Sequence, residues 1–407
     1  MVTKLEKMLK YVTEHNEFYK SRIKEYGIKN PLDITQWPVL TRKELQGNRY
    51  NMFSDGYKSK YFDQQLRRQS SSGSSGTPVN VYWDYNDWYS SNMSLWRKRL
   101  QWYGIKPSDK YCVFTLNSFG ITPTEGKIYY INKPSNILMF NVSLVRDESG
   151  YEQMAKLIND FKPDWLYIQP FVLNQLIRAY RNLNLVPCES IKYVESVGEI
   201  LTSDLRKKAD ELFNVKVTNM YGSEEMNGIA IEDPNREMHI LTDNVFFEVE
   251  SNNGISPNGN GESIITNLNN HAMPIIRYMQ GDMVSIQENE KSPIISSISG
   301  RTFEVSPIDN GKQINSLLLS EVMSKFINQF PDTICSYRFV YNSINCNLYC
   351  IIGLYKEKKN WFVSIAKELE LALNQKIMMT GIRTISVEIE KNDSVDICKR
   401  SIVEIKK

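Results

Sequence analysis

Apolar residues return at helical spacing from the start of the chain: Leu5, Met8, Leu9 and Val12, then Phe18, Tyr19 and Ile23. This spacing predicts an amphipathic helix or helix pair over residues 3–26. Pro31 and Pro38 punctuate a loop, and Thr41 with Glu44 three residues on predicts a short helix opened by a capping box. Residues 51–69 read as loop followed by strand, and Val79–Trp83 as a strand with mixed faces. A helix follows from Asp84 to Trp102, with Gly104 placed to stop it. From there strands and helices alternate. Strands are predicted at Tyr111–Leu116, Asn136–Val142, Asp164–Ile168, Ile191–Val197 and Val215–Met220. Helices are predicted at Tyr151–Phe161, Phe171–Asn182 and Ser203–Phe213, with the turn-rich Asn117–Gly126 between the first two strands. Alternation of this kind favours an α/β fold, a mostly parallel sheet covered by helices. Ligands of such sheets sit beyond the carboxyl ends of the strands.

The pattern changes near residue 240. Val245–Ser251 and Glu262–Thr266 read as strands joined by Gly/Asn/Pro turns, a β-rich subdomain in the form of a small distorted barrel. The last hundred residues read as a compact α+β unit, with strands near Tyr337–Tyr341, Leu348–Leu354 and Ile385–Ile389 and a helix near Trp361–Gln375.

Composition narrows the class of partner. The chain has 407 residues, 41% hydrophobic and 24% charged, as in ordinary folded proteins. Lys and Arg number 49 against 47 Asp and Glu, so there is no charge footprint for nucleic acid or a membrane surface. Residues 1–24 lack the apolar core of a secretion signal, and no run of 18 apolar residues exists. The six cysteines show no paired spacing, and reduced, buried thiols in a cytoplasmic protein are the expectation.

Candidate chemistry lies in the turns. Ser70–Pro78 holds six hydroxyl side chains, two glycines and one proline. Such a segment can wrap an anion with backbone N–H and hydroxyl groups, or serve as a flexible linker. It is not a Walker loop, since no Lys follows the second glycine at the required place. Tyr221-Gly222-Ser223-Glu224-Glu225 follows a strand. Its aromatic ring can stack on a purine and its carboxylate can hold Mg²⁺, or the pair can simply be a solvated turn. Pro274–Asp282 reads as a strand ending in Gly281-Asp282, where an Asp can accept two ribose hydroxyls or merely make a turn. Arg301 suits phosphate or ribose as well as a surface ion pair. His15, His239 and His271 form no set and read as structural.

The order and spacing of these motifs carry more than any one of them. A Ser/Gly loop ending Gly-Thr-Pro, then Tyr-Gly-x-x-Glu, Arg-Tyr-x-x-Gly-Asp, Gly-Arg and a near-terminal Lys resembles the adenylate-forming ligase superfamily. Within it, Asn16-Glu17-Phe18-Tyr19 and Pro38-Val39-Leu40-Thr41-Arg42-Lys43 resemble the opening of the phenylacetate–CoA ligase and capsule-biosynthesis adenylating branch. The resemblance covers nearly the whole chain. It implies an acyl-CoA-synthetase-like fold, with an AMP-binding domain over 1–304 and a mobile α+β domain over 305–407. It implies ATP and Mg²⁺ as cofactors, a small carboxylic acid as substrate, and coenzyme A or the phosphopantetheine thiol of a carrier protein as acceptor. By the same resemblance Ser72, Gly73, Ser74, Ser75, Gly76 and Thr77 cradle the β,γ-phosphates. Tyr221 stacks on adenine beside Gly198, Glu199, Gly222 and Ser223. Glu225 holds Mg²⁺, and Asp282 with Arg301 holds the ribose. Lys399 reaches the α-phosphate. Phe119, Tyr167, Phe171 and Val197 are candidate pocket walls, suited to an aromatic or otherwise planar acid, and equally to ordinary core positions. A homodimer is compatible with this reading.

The chain departs from the pattern at five positions. Glu224 stands where Ser or Thr is usual, Val79 where a Lys is common, Phe303 and Glu304 where two Asp residues are expected, and Cys398 where Gly precedes the terminal Lys. The departures at Phe303 and Val79 keep open a nucleotide-binding protein that has lost turnover. A second alternative, in the same class as the ligase, is a stand-alone adenylating enzyme feeding a carrier protein or an amine in a biosynthetic pathway.

Overall fold

The computed structural model describes residues 3–70, 79–115, 128–145, 148–289 and 292–301. Beyond these it describes 305–308, 312–315, 334–342, 347–354, 359–377, 385–389 and 400–406, with scattered positions between 319 and 345. The chain gathers into two compact units. One comprises residues 1–109, 193–200 and 216–302; the other comprises 110–192, 201–215 and 303–407.

In the first unit the opening pattern resolves as two helices, Lys4–His15 and Glu17–Glu25, hinged at Asn16. The Asn16 Oδ1 accepts from the Tyr19 backbone N–H, and its Nδ2 donates to the Met52 carbonyl, so one side chain caps a helix and ties down a distant loop. Thr41 and Glu44 form the predicted capping box on Arg42–Gly47. Asp84 caps the helix Tyr85–Tyr103, and Gly104 ends it at φ +68°, in the left-handed region. A short helix, Tyr57–Phe62, lies in the stretch read as loop; with no buried residue it leaves no periodic signal. Strand Arg67–Ser70 pairs antiparallel with Asn80–Trp83, Ser70 opposite Asn80. The strands on either side of 71–78 are therefore paired, while 71–78 itself lies outside the described residues.

Nine strands of this unit form one ladder. Their order is Gly254–Ser256, Val245–Ser251, Gly259–Asn267, Tyr278–Gln287, Ile294–Arg301, Met238–Ile240, Asn227–Glu232, Val217–Ser223 and Tyr193–Val197. Only the last pairing is parallel. Nineteen residues between Val197 and Val217 allow a crossover, whereas the few residues after Ser223 allow only a hairpin. The β-rich stretch is thus an open ladder rather than a small barrel: among the described residues Gly254–Ser256 pairs with Val245–Ser251 alone. Behind it lies a core that includes Trp37, Phe53, Trp83, Met226, Ile265 and Tyr278.

The second unit holds the parallel pairing that the alternating pattern predicts. Tyr111–Thr115 runs parallel to both Ile137–Asn141 and Trp165–Ile168. The edge strand Tyr129–Asn132, short and half-exposed, escapes the sequence reading. Helices Glu148–Phe161, Pro170–Asn182 and Ser203–Phe213 fall where predicted. Near the C-terminus, Ile334–Asn342 and Asn347–Leu354 form an antiparallel pair flanked by Arg400–Lys406 and Ile385–Ile389, each joined in parallel. With helix Lys359–Ile377 they make the expected α+β arrangement, to which a hairpin, Val305–Ile308 with Lys312–Asn315, is added. Of the cysteines described, Cys112, Cys188 and Cys350 are free, and the first and last are buried. No described helix is long and apolar enough to cross a membrane.

Candidate functional site

Two motifs far apart in sequence meet in the first unit. The Tyr221 hydroxyl donates to Asp282 Oδ2 at 2.5 Å. Gln280 Nε2 donates to the same carboxylate oxygen at 2.8 Å and to the Tyr221 hydroxyl at 2.9 Å. The Gln280 Oε1 in turn accepts from Ser223 Oγ at 3.1 Å. The backbone N–H of Asp282 donates to Ser263 Oγ. A charged acceptor, a phenol, an amide and two hydroxyls therefore form one connected network, the kind that fixes side chains in a single arrangement.

The backbone explains why these residues converge. Tyr221 and Ser223 lie within strand Val217–Ser223, which runs on past Met220 instead of ending there. Its ladder with Asn227–Glu232 shifts register between Tyr221 and Gly222. A Cβ on Gly222 would stand 2.6 Å from the Asn227 carbonyl oxygen, so only glycine fits this bulge. Gly281-Asp282 likewise lies inside strand Tyr278–Gln287 rather than at its end. Gly281 has φ +95°, and the pairing slips just after Asp282, which sits opposite Arg301. Tyr221-Gly222 and Gly281-Asp282, which the sequence reading sets just after a strand and at the end of one, are irregularities in continuous strands, each re-aiming a side chain.

Neighbouring positions supply further groups. Strand Tyr193–Val197 runs parallel to Val217–Ser223 with Val197 opposite Met220, so Gly198 (φ +80°) and Glu199 emerge beside Tyr221. Glu225 is buried, its backbone carbonyl bound by Asn267 Nδ2 and its carboxylate 3.5 Å from the Tyr278 hydroxyl. Gln69, next to the hydroxyl-rich segment, donates to Glu224 Oε2 and to Asn227 Oδ1. Loss of solvent around its carboxyl, and after it the charge of Glu225, push Glu224 above the usual carboxylate range against the pull of Gln69 and Arg67.

The strand bearing Asp282 is anchored by the N-terminal region. Arg277, at φ +51°, forks onto Glu248 through Nε and Nη2 at 3.0 and 2.9 Å, and its Nη1 donates to the Trp37 carbonyl at 2.7 Å. The backbone of Leu40 bonds Arg277 and Met279 on either side of Tyr278. The Tyr19 hydroxyl bonds the Pro274 carbonyl and the Ile276 N–H. The opening motif around Tyr19 and Leu40 thus braces the strand that carries the aspartate.

Tyr221, Ser223 and Asp282 are brought together, with Gly198, Glu199, Gly222, Glu225 and the backbone of Arg301 in the same unit. Val197 is buried there; Tyr167, half-buried, and Phe171, buried, belong to the other unit. Ser72, Gly73, Ser74, Ser75, Gly76, Thr77, Phe119 and Lys399 lie outside the described residues. Gln280, Ser263 and Gln69 escape the sequence reading, which includes Arg277 as a motif residue without giving it a role. Only Arg277 and Gln280 carried a signal, by standing within the Arg-Tyr-x-x-Gly-Asp stretch.

No protein-family model matches this chain. It is 24% identical over 294 residues to phenylacetate-coenzyme A ligase of Thermus thermophilus, covering 69% of this chain. The chain spans 63% of the length of that relative. It is 24% identical to the Escherichia coli enzyme of the same name, covering 79% of this chain and 75% of the relative. A 23% match to fumarate–(S)-2,3-diaminopropanoate ligase of Enterobacter agglomerans covers 47% of this chain and 49% of that one. In fold it matches a 2-hydroxyisobutyryl-CoA ligase solved with an acyl-AMP, with a TM-score of 0.70 and 17% identity over 99% of this chain and 88% of that one. An anthranilate CoA ligase solved with anthranoyl-AMP matches with a TM-score of 0.53 and 16% identity over 81% and 64%.

Proposed function

We propose that this chain is an adenylate-forming ligase of the phenylacetate–CoA ligase branch and that it activates a small carboxylic acid with ATP, a reading supported by its sequence similarity to phenylacetate-coenzyme A ligases and its fold similarity to a 2-hydroxyisobutyryl-CoA ligase. A carboxylate oxygen forms a bond to the α-phosphorus, the bond to the β-phosphate bridge breaks, and pyrophosphate leaves. A thiol sulfur then attacks the acyl carbon and AMP departs, giving a thioester with coenzyme A. The observation that carries this reading is the meeting of Tyr221 with Asp282: a ring that offers a face to a purine beside a carboxylate that accepts ribose hydroxyls.

In this reading the chain's work is positioning and charge stabilisation, which phosphoryl chemistry chiefly needs. Gln280 and Ser263 orient Asp282, and Ser223 orients Gln280. Ser72 to Thr77 receive the departing phosphates, an assignment supported by the paired strands on either side of their segment. Glu225 would hold Mg²⁺. Among the described residues its carboxylate has only a long contact from the Tyr278 hydroxyl at 3.5 Å, which suits a hard cation that takes one or two carboxylates and phosphate oxygens. Bound there, Mg²⁺ would neutralise phosphate charge. Lys399 is the proposed partner of the α-phosphate. The free thiols of Cys112, Cys188 and Cys350 support a cytoplasmic setting.

An ATP–pyrophosphate exchange assay over a panel of aromatic and short-chain acids tests the first step. Exchange with at least one acid is expected; none at all, with nucleotide bound, would remove the proposal. An amine acceptor is the second reading, favoured by the partial match to a ligase that joins fumarate to an amine. Competition among coenzyme A, a carrier protein and amines separates the acceptors.

A further inference from the structure

A second constellation lies in a hairpin that the adenylation reading leaves unused. Asp233, Glu237 and His239 project one ligand atom each into a common space, all within 4.8 Å of one another. His239 is buried, its side chain only 4% exposed, and among the described residues its Nε2 has no hydrogen-bond partner. That nitrogen lies 3.6 Å from Asp233 Oδ2 and 3.7 Å from Glu237 Oε2, beyond hydrogen-bonding range of both. We propose that Asp233, Glu237 and His239 form a binding site for a first-row divalent cation of the zinc type.

The spacing fits an ion better than a direct contact. Zinc binds imidazole nitrogen at about 2.0–2.1 Å and carboxylate oxygen at about 2.0–2.2 Å; tetrahedral geometry then sets ligand atoms roughly 3.4 Å apart. The two measured separations lie a few tenths of an ångström above that edge. The His239 Nδ1 is 2.9 Å from Ser292 Oγ. With Nδ1–H donating there, the lone pair is on Nε2 and aimed at the gap, the outer-shell hydrogen bond that orients metal-binding imidazoles. Strands Asn227–Glu232 and Met238–Ile240 pair with Glu232 opposite Met238, and Asp233 N–H bonds the Glu237 carbonyl across the turn. Asp233 Oδ1 accepts from the Asn235 and Glu237 N–H groups, while Oδ2, with a 3.3 Å contact from Asn235 Nδ2, stands toward His239. Trp102 walls one side of the imidazole with its ring centroid at 5.3 Å. An imidazole with two carboxylates selects zinc-type ions over Mg²⁺ or Ca²⁺, which take oxygen ligands. Three protein ligands leave one position for water.

The test uses the full chain freed of metal by chelation and titrated with zinc chloride against a chromophoric chelator. One equivalent bound is expected, with binding weakened about tenfold or more in Glu237→Gln and in His239→Gln. Cobalt(II) should give a tetrahedral visible spectrum that Glu237→Gln loses. Glu237 is about half exposed, so that variant keeps the test open if His239→Gln does not fold. No stoichiometric zinc in the parent chain overturns the proposal, as does binding that Glu237→Gln leaves within about twofold. Neither readout passes through ligase activity.

Discussion

The phenol of Tyr221 and the carboxylate of Asp282 stand 61 residues apart in the chain and 2.5 Å apart in space. The pair joins a ring suited to a purine with an acceptor suited to ribose. Replacing Asp282 by Asn keeps the shape and removes the charge. Hydrogen bonds to a charged group contribute about 1.5–3 kcal/mol, so Asp282→Asn should raise the KM for ATP in pyrophosphate exchange by roughly 10- to 100-fold. Tyr221→Phe, which keeps the ring, should raise it less.

Gly222 owes its identity to a close approach, since a Cβ there would stand 2.6 Å from the Asn227 carbonyl oxygen. Gly222→Ala must open the bulge, at a cost of about 1–3 kcal/mol for an overpacked site. A lower urea midpoint should be accompanied by weaker nucleotide binding, because Tyr221 is the adjacent residue. An alanine variant with unchanged midpoint and unchanged ATP affinity would count against the role given to the bulge.

Glu195 carries a buried ion pair in the strand that leads to Gly198. Arg99 donates to both of its oxygens, at 2.8 and 2.5 Å, and the Tyr193 hydroxyl donates at 2.8 Å. Removing one partner strands a buried charge, so Arg99→Met should destabilise the chain by about 3–5 kcal/mol. Arg99→Met with Glu195→Leu should lose less than Arg99→Met alone, as a double-mutant cycle of unfolding free energies would reveal.

Glu44 links the capping box to the opening helices. Burial is the largest single influence on its carboxyl and acts upward, but the Thr41 hydroxyl, the Arg22 guanidinium and the Thr41 N–H outweigh it and hold the pKa below its usual 4.5. A depressed folded-state pKa means stability that is fully present above about pH 4.5 and lost as pH falls through the lower folded value. Glu44→Gln should therefore cost about 1.5–3 kcal/mol at neutral pH, with the gap to the parent chain closing in acid. Urea midpoints of both proteins across pH 3 to 7, values of about the carboxylate range and above, would check the sign.

The elements most legible in the sequence are those whose signals are local. Thr41 with Glu44 announces its helix, and Asp84 and Gly104 bracket another, because caps act within a few residues. Tyr57–Phe62 has no buried face and leaves no period to read. The small barrel fails for a different reason: alternation marks strands, but nothing in it states which edges pair.

What the sequence determined by itself is the run of elements and the order of motifs that resembles an adenylate-forming ligase, since hydrophobic period, caps and turn residues act over a few residues at a time. Tertiary structure alone decided that Tyr221 meets Asp282 through Gln280, that Arg277 is clamped by Glu248 and Trp37, and that the buried His239 faces two carboxylates. The Tyr221 and Arg277 contacts depend on register between distant strands, where one bulge redirects a side chain. The His239 group depends on how one tight hairpin closes. Neither leaves a periodic mark on the chain.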